Sequence, residues 1–246
     1  LTLSNGNNRL PTGTLVNFIG NSTLDVGATS QAVTNITVGD NLTGTVNGSG
    51  GTLILNGNNF YLGGVNENVG QTLSASGLST FIYNNPGYNV SVGPSSSSPG
   101  TGDGTVTLAA TTLITAASFG AANRGHNDAW EQSAAYGTVY LGQVNTLNAT
   151  TIQVVYSNTR TKDYGTVRFS NGLTGPSLKI RGTGGTDIDR ADITIGYAGA
   201  GSAYNYGSGL LDLTTGVTSS MLDARVGTLT LGNLVSNNGG SGAAGT

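Results

Sequence analysis

Short segments in which apolar and polar residues alternate, each ended by a glycine, recur along the whole chain. In Thr23–Gly27, Asn35–Gly39 and Asp192–Gly196, for example, the apolar side chains are two residues apart. Residues two apart point to one face of a β-strand, and the polar residues between them point to solvent. Glycine permits the turn that ends each segment. Strands this short bury little apolar surface individually, so the chain has to stack them.

Two arrangements stack short strands, namely antiparallel hairpins in a sandwich or barrel and parallel coils in a solenoid. Three features favour the solenoid. Each strand has only about two inward-facing residues, and the outward positions are rich in Thr, Ser and Asn. Charged residues make up only 9% of the chain, as expected where like charges on successive coils would repel each other. The glycine-ended segments are irregularly spaced, so the coils must differ in length.

Composition excludes several other classes of protein. The chain has 246 residues, of which 41 are glycine, with 9 basic and 12 acidic residues and a net charge of -3. Charge is too scarce for a helix bundle, a coiled coil or a basic surface that binds nucleic acid. The absence of cysteine excludes disulfides and cysteine-based metal or catalytic sites. No apolar run approaches the roughly 18 residues of a membrane span.

The segment Gly51–Val65 carries the most specific motif in the chain. Compared with the pattern G-T-L-T-L-x-G-x-N-x-Y-x-G-G-T, the matching residues are Gly51, Thr52, Leu53, Leu55, Gly57, Asn59, Tyr61, Gly63 and Gly64. Ile54 and Val65 depart from it. The segment therefore resembles the autotransporter-associated β-strand repeat. This resemblance implies a right-handed parallel β-helix of the passenger type, secreted to the surface of a Gram-negative bacterium.

We therefore expect a single all-β domain over residues 1–246, folded as a right-handed parallel β-helix (solenoid) with lateral loop excursions. Residues 94–104, rich in Ser and Pro, are predicted to form a polar loop that leaves the solenoid and returns. The Ala-rich residues 116–137 are predicted to form a second excursion, with a short helix that ends before the final glycine. Residues 236–246 are predicted to form a flexible tail.

The Ala-rich segment also holds the most catalytic-looking residues of the chain, which are His126, Asp128 and Glu131. On a helix, Asp128 and Glu131 would share a face and offer an acid and a base beside the histidine. No nucleophile motif accompanies His126. We interpret these residues as a helix cap and solvated helix charges, and we predict that the chain has no catalytic site.

A glycine-rich turn carries Asp187 and Asp189, and Asp192 follows it. Carboxylates and backbone carbonyls on such a turn suit Ca²⁺, and the turn resembles the calcium-binding nonapeptide G-G-x-G-x-D. It occurs only once, however, whereas those sites share ligands between tandem copies. Arg181 and Arg190 are close enough in sequence to neutralise the carboxylates. We therefore predict an ordinary polar turn, with no metal and no cofactor.

A β-helix that acts on carbohydrate, such as a polysaccharide lyase or a tail-spike-type depolymerase, is the main enzymatic alternative. It would bring ionisable side chains together in an outer groove. The candidates are Arg168, Lys179 and Arg181 with the three aspartates above. The pattern predicts that Lys179 and Arg181 point outward from one strand and that Arg168 lies near them on the previous coil. We interpret all three as solvated charges, which discourage lateral aggregation.

Tyr197, Tyr204 and Tyr206 lie in another glycine-rich stretch. Exposed aromatic side chains there would stack on sugar rings or become buried at a subunit contact. We favour a third interpretation, in which they pack a loop against the solenoid. Binding to ice or to a mineral surface is a further class of function, but the regular T-x-T array that it needs is missing from the sequence.

The sequence thus predicts a structural or adhesive extracellular protein, displayed on a cell surface or forming filaments, that is not an enzyme. Leu1–Gly6 and Thr228–Gly232 resemble uncharged strands, and an uncapped solenoid end exposes unpaired backbone groups. We therefore expect self-association through the solenoid ends, with a cell-surface or glycan partner as a further option. We expect no nucleic-acid partner and no membrane span. Both ends of the chain suggest processing from a longer protein.

Overall fold

The protein is built from β-strands, and the described residues contain no α-helix. The computed structural model describes residues 1–3, 6–63, 69–95, 102–124, 134–157, 162–199, 206–234 and 242–246. Nothing among these residues could span a membrane as a helix. Their strands are β1 (Leu15–Phe18), β2 (Ser22–Asp25), β3 (Ser30–Val33), β4 (Asn35–Val38), β5 (Leu42–Leu55), β6 (Phe60–Leu62), β7 (Gly70–Ser95), β8 (Asp103–Thr107), β9 (Thr111–Arg124), β10 (Ala134–Leu141), β11 (Val144–Ser157), β12 (Lys162–Phe169), β13 (Ser177–Arg181), β14 (Ala191–Ala198), β15 (Tyr206–Asp212), β16 (Met221–Ala224), β17 (Val226–Leu234) and β18 (Gly242–Gly245).

The strands pair in three columns, which the chain visits in the same order again and again. Column A contains residues 22–25, 42–47, 70–77, 103–107, 134–141, 162–169, 206–212 and 242–245. Column B contains residues 30–33, 52–55, 80–85, 111–116, 144–149, 177–181 and 221–224. Column C contains residues 60–62, 89–95, 118–124, 151–157, 191–198 and 226–234.

Every strand pair among the described residues is parallel, including the separate two-stranded sheet of β1 and β4. The predicted all-β, parallel architecture is therefore confirmed, and the pairing pattern is typical of a parallel β-solenoid. Hydrogen-bonded residues of successive coils are 22 positions apart for Asn21, which precedes β2, and Thr43. They are 42 apart for Arg181 and Asp223. The coils therefore differ in length, as the irregular glycine spacing predicts.

Apolar side chains at equivalent positions of successive coils build the core. In column A, Leu73, Val106, Val139 and Val167 are in register and at most 2% exposed. Burying one such side chain stabilises the folded state by about 1.5–3 kcal/mol. Columns B and C continue the same core, with Leu147 over Ile180 and Ile152 over Ile193. The inward-facing residues of each strand thus form apolar ladders that run through successive coils and pack against one another in the core.

A ladder of glycines lies where column A meets column C. In register along column A are Gly104, Gly137, Gly165, Gly209 and Gly245. A Cβ on Gly165 would lie 2.6 Å from the carbonyl oxygen of Ala121 and 2.7 Å from Cγ2 of Val155. The facing residues of column C have positive φ angles and are Gly93, Ala122, Val155, Gly196 and Gly232. The two backbones therefore approach so closely that no side chain fits between them.

The segments that we expected to leave the solenoid are partly strand. Residues 94–95 end β7 and residues 103–104 begin β8, while residues 96–101 lie outside the described part. The Ala-rich prediction is wrong at both ends, because residues 116–124 belong to β9 and residues 134–137 to β10. Alanines at 116, 121 and 122 are fully buried, and Ala121 and Ala122 lie at the narrow contact with Gly137 of column A, where small side chains fit. In the predicted tail, Gly242–Gly245 forms β18 and pairs with β15.

Replacing Gly137 by alanine tests the close contact between columns A and C. The new Cβ would clash with the backbone nitrogen of Ala122 and the carbonyl oxygen of Val92. We therefore expect the free energy of unfolding to fall by at least about 1–3 kcal/mol. Gly13→Ala is the matched control, because nothing lies within 4 Å of its Cβ position and a smaller unfolded-state entropy favours alanine there. Equilibrium denaturant unfolding measures both variants. Equal losses in the two variants would contradict the proposed contact.

Candidate functional site

Arg181 is the centre of a charged cluster at the turn that follows β13. Its Nη2 atom donates to Asp187 Oδ1 and to Asp223 Oδ2, both at 2.8 Å, and its Nη1 atom donates to the carbonyl oxygen of Asp223 at 3.0 Å. The prediction that Arg181 points outward beside Lys179 is wrong, because Arg181 is only 1% exposed. It ends β13, so the alternation of the strand no longer fixes its direction. The side chain instead joins two coils, since Asp223 lies on β16.

Three aspartates surround this turn, and each binds a different donor of the protein itself. Asp187 accepts two hydrogen bonds from Arg181 and lies 3.6 Å from Nζ of Lys179. Asp189 Oδ2 accepts from the backbone nitrogen and the hydroxyl of Thr186, at 2.8 and 2.7 Å. Asp192 Oδ1 accepts from the backbone nitrogen of Thr228 at 2.8 Å.

A cation site would require these carboxylates to converge. Among the described residues, no group of three or more His, Cys, Asp or Glu side chains is placed to hold a metal ion. The carboxylates instead act as hydrogen-bond acceptors that order the turn. Asp223, which sequence reasoning missed, is the second acidic partner of Arg181, and no local pattern connects residues 42 positions apart.

Arg181 determines the electrostatics of the cluster. Its hydrogen bond is the main reason why the pKa of Asp223 lies below the ordinary value for an aspartate. The same guanidinium, helped by Lys179, lowers the pKa of Asp187. In the other direction, the hydrogen bond with Asp223 raises the pKa of Arg181. The ion pairs therefore hold all three groups in their charged forms.

Changing Asp223 to asparagine tests the link between Arg181 and β16. A carboxyl whose pKa is lowered by folding stabilises the folded state above its unfolded-state pKa, and that contribution is lost as the pH falls through the lowered folded-state value. We expect the wild-type protein to melt at a higher temperature than Asp223→Asn near about pH 7, with a difference that shrinks below about pH 4. Thermal melts across this range measure it. A difference that stays constant down to about pH 2 would contradict the role of the charge.

The hydrogen bonds of Arg168 go to residues outside this cluster. It lies on β12 in column A, and its Nη2 atom donates to Asn171 Oδ1 at 3.0 Å and to the carbonyl oxygen of Thr215 at 3.3 Å. Lys179 lies on β13 in column B. The expected neighbourhood of Arg168, Lys179 and Arg181 is therefore wrong for Arg168, because the previous column B strand contributes Thr146 beside Lys179 instead.

Five of the described tyrosines, Tyr136, Tyr156, Tyr164, Tyr197 and Tyr206, contact one another in two groups on successive strands. The rings of Tyr156 and Tyr197 are 4.3 Å apart and within 3° of parallel, and burial and the neighbouring ring raise the pKa of Tyr156. Tyr164 stacks on Tyr136 at 5.0 Å and contacts Tyr206 at 5.7 Å in a tilted arrangement. One ring face of Tyr197 is therefore covered by Tyr156 and cannot carry a sugar. Tyr204 lies outside the described residues, as do His126, Asp128 and Glu131.

The strand register places five threonines in one ladder, although their spacing in the sequence is irregular. In register on column A are Thr43, Thr72, Thr105, Thr138 and Thr166. The neighbouring outward track begins with Thr45, Ser74 and Thr107 but continues with Tyr140 and Arg168. Unequal coil lengths conceal the ladder in the sequence. Only one threonine per coil continues through all five coils, because the second track changes to Tyr140 and Arg168. The ladder therefore does not form the regular two-dimensional array that ice binding needs.

The amino-terminal end of the solenoid is capped by residues 1–3 and 6–10. The backbone of residues 1–3 pairs with β2, since Leu3 donates to Asp25 and Asp25 donates to Leu1, both at 2.7 Å. At β3, the side chain of Asn7 accepts from the backbone nitrogen of Ser30 at 2.9 Å, and Asn8 accepts from that of Ala32 at 3.2 Å. The expectation that this end is uncapped is therefore wrong. The side chains of Asn7 and Asn8 accept hydrogen bonds from the edge of β3, which a capping helix would otherwise cover.

The carboxyl-terminal end presents core-type side chains to solvent. Leu222, Leu229 and Leu231 are 50%, 56% and 55% exposed. They lie in register with Leu178, Ile193 and Ile195 of the preceding coil, which are at most 5% exposed. A cavity of about 520 Å³ beside Leu211, Leu213 and Leu222 opens at the same end. Among the described residues, no further strand covers this surface, which corresponds to the contact between successive strands of the core.

Comparison with protein-family models, with curated proteins and with solved structures finds no match for this chain. The resemblance of Gly51–Val65 to the autotransporter-associated repeat therefore stays a prediction. In the structure, residues 51–55 end β5 and Phe60–Leu62 forms β6.

Proposed function

We propose that the chain is a right-handed parallel β-helix whose three columns close around the core, and that its function is structural or adhesive. The repeated order of columns A, B and C supports the closed helix, because each column brings successive coils into contact. The proposal places the protein outside the cell or on the cell surface, as the resemblance of Gly51–Val65 implies. The protein acts there by associating with copies of itself through the ends of the solenoid.

The open carboxyl-terminal coil is the observation that carries this proposal. Its half-exposed leucines occupy positions that are almost fully buried in every coil below them. Covering one leucine side chain completely stabilises a contact by about 1.5–3 kcal/mol. Several such side chains on one end therefore favour an apolar partner that has the width of a coil. A second copy of this chain has ends of that width.

The charged cluster supports a structural role over a catalytic one. Arg181, Asp187 and Asp223 satisfy one another, and Asp189 and Asp192 accept hydrogen bonds from the backbone. A catalytic acid or base needs a free side that faces a substrate. We therefore propose that the cluster fastens the last coils together and that the protein is not an enzyme.

Sedimentation velocity of the 246-residue chain over a wide concentration range tests the proposed association. We expect oligomers whose population grows with concentration and falls in Leu229→Lys, because the change puts a charge on the exposed apolar end. Ile188→Lys is the matched control, since Ile188 is 87% exposed on the turn that follows β13. It should associate like the wild type. A wild-type chain that stays monomeric at every concentration would refute self-association.

A further inference from the structure

Tyrosine is the most abundant readily oxidised residue of this chain. The sequence has 10 tyrosines but no cysteine, one methionine and one tryptophan. A cysteine thiol would reduce a tyrosyl radical back to the phenol, and a disulfide is the usual covalent link between distant parts of an extracellular protein. Neither reaction is available without cysteine. Tyrosines that contact one another across coils are therefore the places where oxidation can join two coils covalently.

Tyr164 and Tyr206 meet on the outer face of column A with their ring planes inclined to each other. Their ring centroids are 5.7 Å apart and the planes are tilted by 48°. Lys162 is in register with Tyr206, and Tyr164 is in register with Ser208. The two tyrosines are therefore diagonal neighbours on β12 and β15, a spacing that aromatic side chains can bridge.

The other two tyrosine contacts stack face to face instead. The ring planes are within 12° of parallel for Tyr136 and Tyr164, and within 3° for Tyr156 and Tyr197. Both of these pairs are in register, so the strands hold their Cβ atoms one above the other. A bond between two ring edges places the Cβ atoms far apart, so a stacked pair would have to unstack to form one. The tilted diagonal pair starts closer to the bonded geometry.

The reactive edges of Tyr164 and Tyr206 lie on the same side of their contact. Burial, followed by the hydroxyl groups of Tyr136 and Tyr206, raises the pKa of Tyr164, as expected where phenol groups lie close together. Oxidised tyrosines couple through the ring carbons that flank the hydroxyl-bearing carbon. Neighbouring hydroxyl groups therefore bring the coupling carbons near each other.

We propose that Tyr164 and Tyr206 are a site of oxidative cross-linking, at which hydrogen peroxide and a haem peroxidase join the two rings by a carbon–carbon bond. Each phenol loses one electron and one proton, and the two radicals couple through ring carbons beside their hydroxyl groups. One C–H bond then breaks on each ring, and its proton returns to the oxygen to restore the phenol. The peroxide accepts both electrons and both protons and becomes two molecules of water. The bond forms within one chain, so it does not depend on the proposed self-association.

Trypsin places the three tyrosine contacts on different pairs of peptides, so mass spectrometry shows which pair has reacted. The relevant peptides are 163–168 with Tyr164, 125–160 with Tyr136 and Tyr156, and 191–225 with Tyr197 and Tyr206. The protein is oxidised with peroxidase and hydrogen peroxide at low concentration, and the monomer is isolated. We expect peptide 163–168 joined to 191–225, with the loss of two hydrogen atoms and with the fluorescence of dityrosine. No such product, or a product mainly of 125–160 with either other peptide, would overturn the proposal.

Two phenylalanine variants locate the bond within peptide 191–225. Tyr206→Phe keeps an aromatic ring but has no phenol to oxidise, so the cross-link should disappear. Tyr197→Phe is the matched control, because it changes a tyrosine of the same peptide that stacks on Tyr156 instead, and it should keep the cross-link. A cross-link that persists in Tyr206→Phe would overturn the assignment. Circular dichroism checks that both variants are folded.

The bond should also stabilise the coils that it joins, because it restricts the unfolded chain as a disulfide does. We expect the oxidised wild-type monomer to melt at least about 5 °C above the untreated protein. The same treatment should leave the melting temperature of Tyr206→Phe unchanged. Equal melting temperatures for oxidised and untreated wild-type protein would contradict a stabilising cross-link.

Discussion

The rest of the structure depends on the backbone contact between columns A and C. Where the glycine ladder passes column C, the two strands are separated by no side chain, and Gly209 lies against the backbone of Val154 and Gly196. At this contact the backbone of Val155 has a φ of 67°. This left-handed conformation costs a β-branched residue about 1–3 kcal/mol. Val155 is fully buried, and its burial offsets a strain of that size. The cross-section of each coil is therefore fixed at this corner.

A fixed cross-section explains how coils of unequal length stay in register. The length difference is taken up in turns, such as the one between β13 and β14, while the strands keep their ladders. Side chains that are distant in sequence then meet at regular intervals on the outer faces, as Tyr156 and Tyr197 do. The turns are free to differ in chemistry. The Arg181 cluster lies between two strands, β13 and β16, whose register partners Lys179 and Asp223 are far apart in the sequence. Function in such a fold is therefore expected at turns and ends rather than within the strands.

The sequence predicted the strands well because their signal is local. The segment Asn35–Gly39 corresponds to β4, and Asp192–Gly196 lies within β14. The site was harder to predict, because Arg181 is the last residue of its strand and its partner Asp223 lies on a later coil. The cap of residues 6–10 was missed for a similar reason, since Asn7 and Asn8 recognise backbone groups rather than a sequence pattern. Alanine was misread as favouring helix, whereas here it fits the narrow contact between columns.

The low charge of the chain follows from the same stacking. In a parallel sheet, residues in register lie about 4.8 Å apart on neighbouring strands, so two like charges at one ladder position repel each other. The charged residues of the outer ladders obey this constraint, because Lys179 is in register with Asp223 and Arg168 with Asp212. Asp212 has a pKa of about 2, chiefly through the backbone nitrogen of Thr215, and Arg168 lowers it further. A charged residue of the described strands thus has an opposite charge or an uncharged residue in register with it, as Asp192 has Thr151 and Asp25 has Asn47. Thr, Ser and Asn fill many of the remaining outward positions because they stack without repulsion.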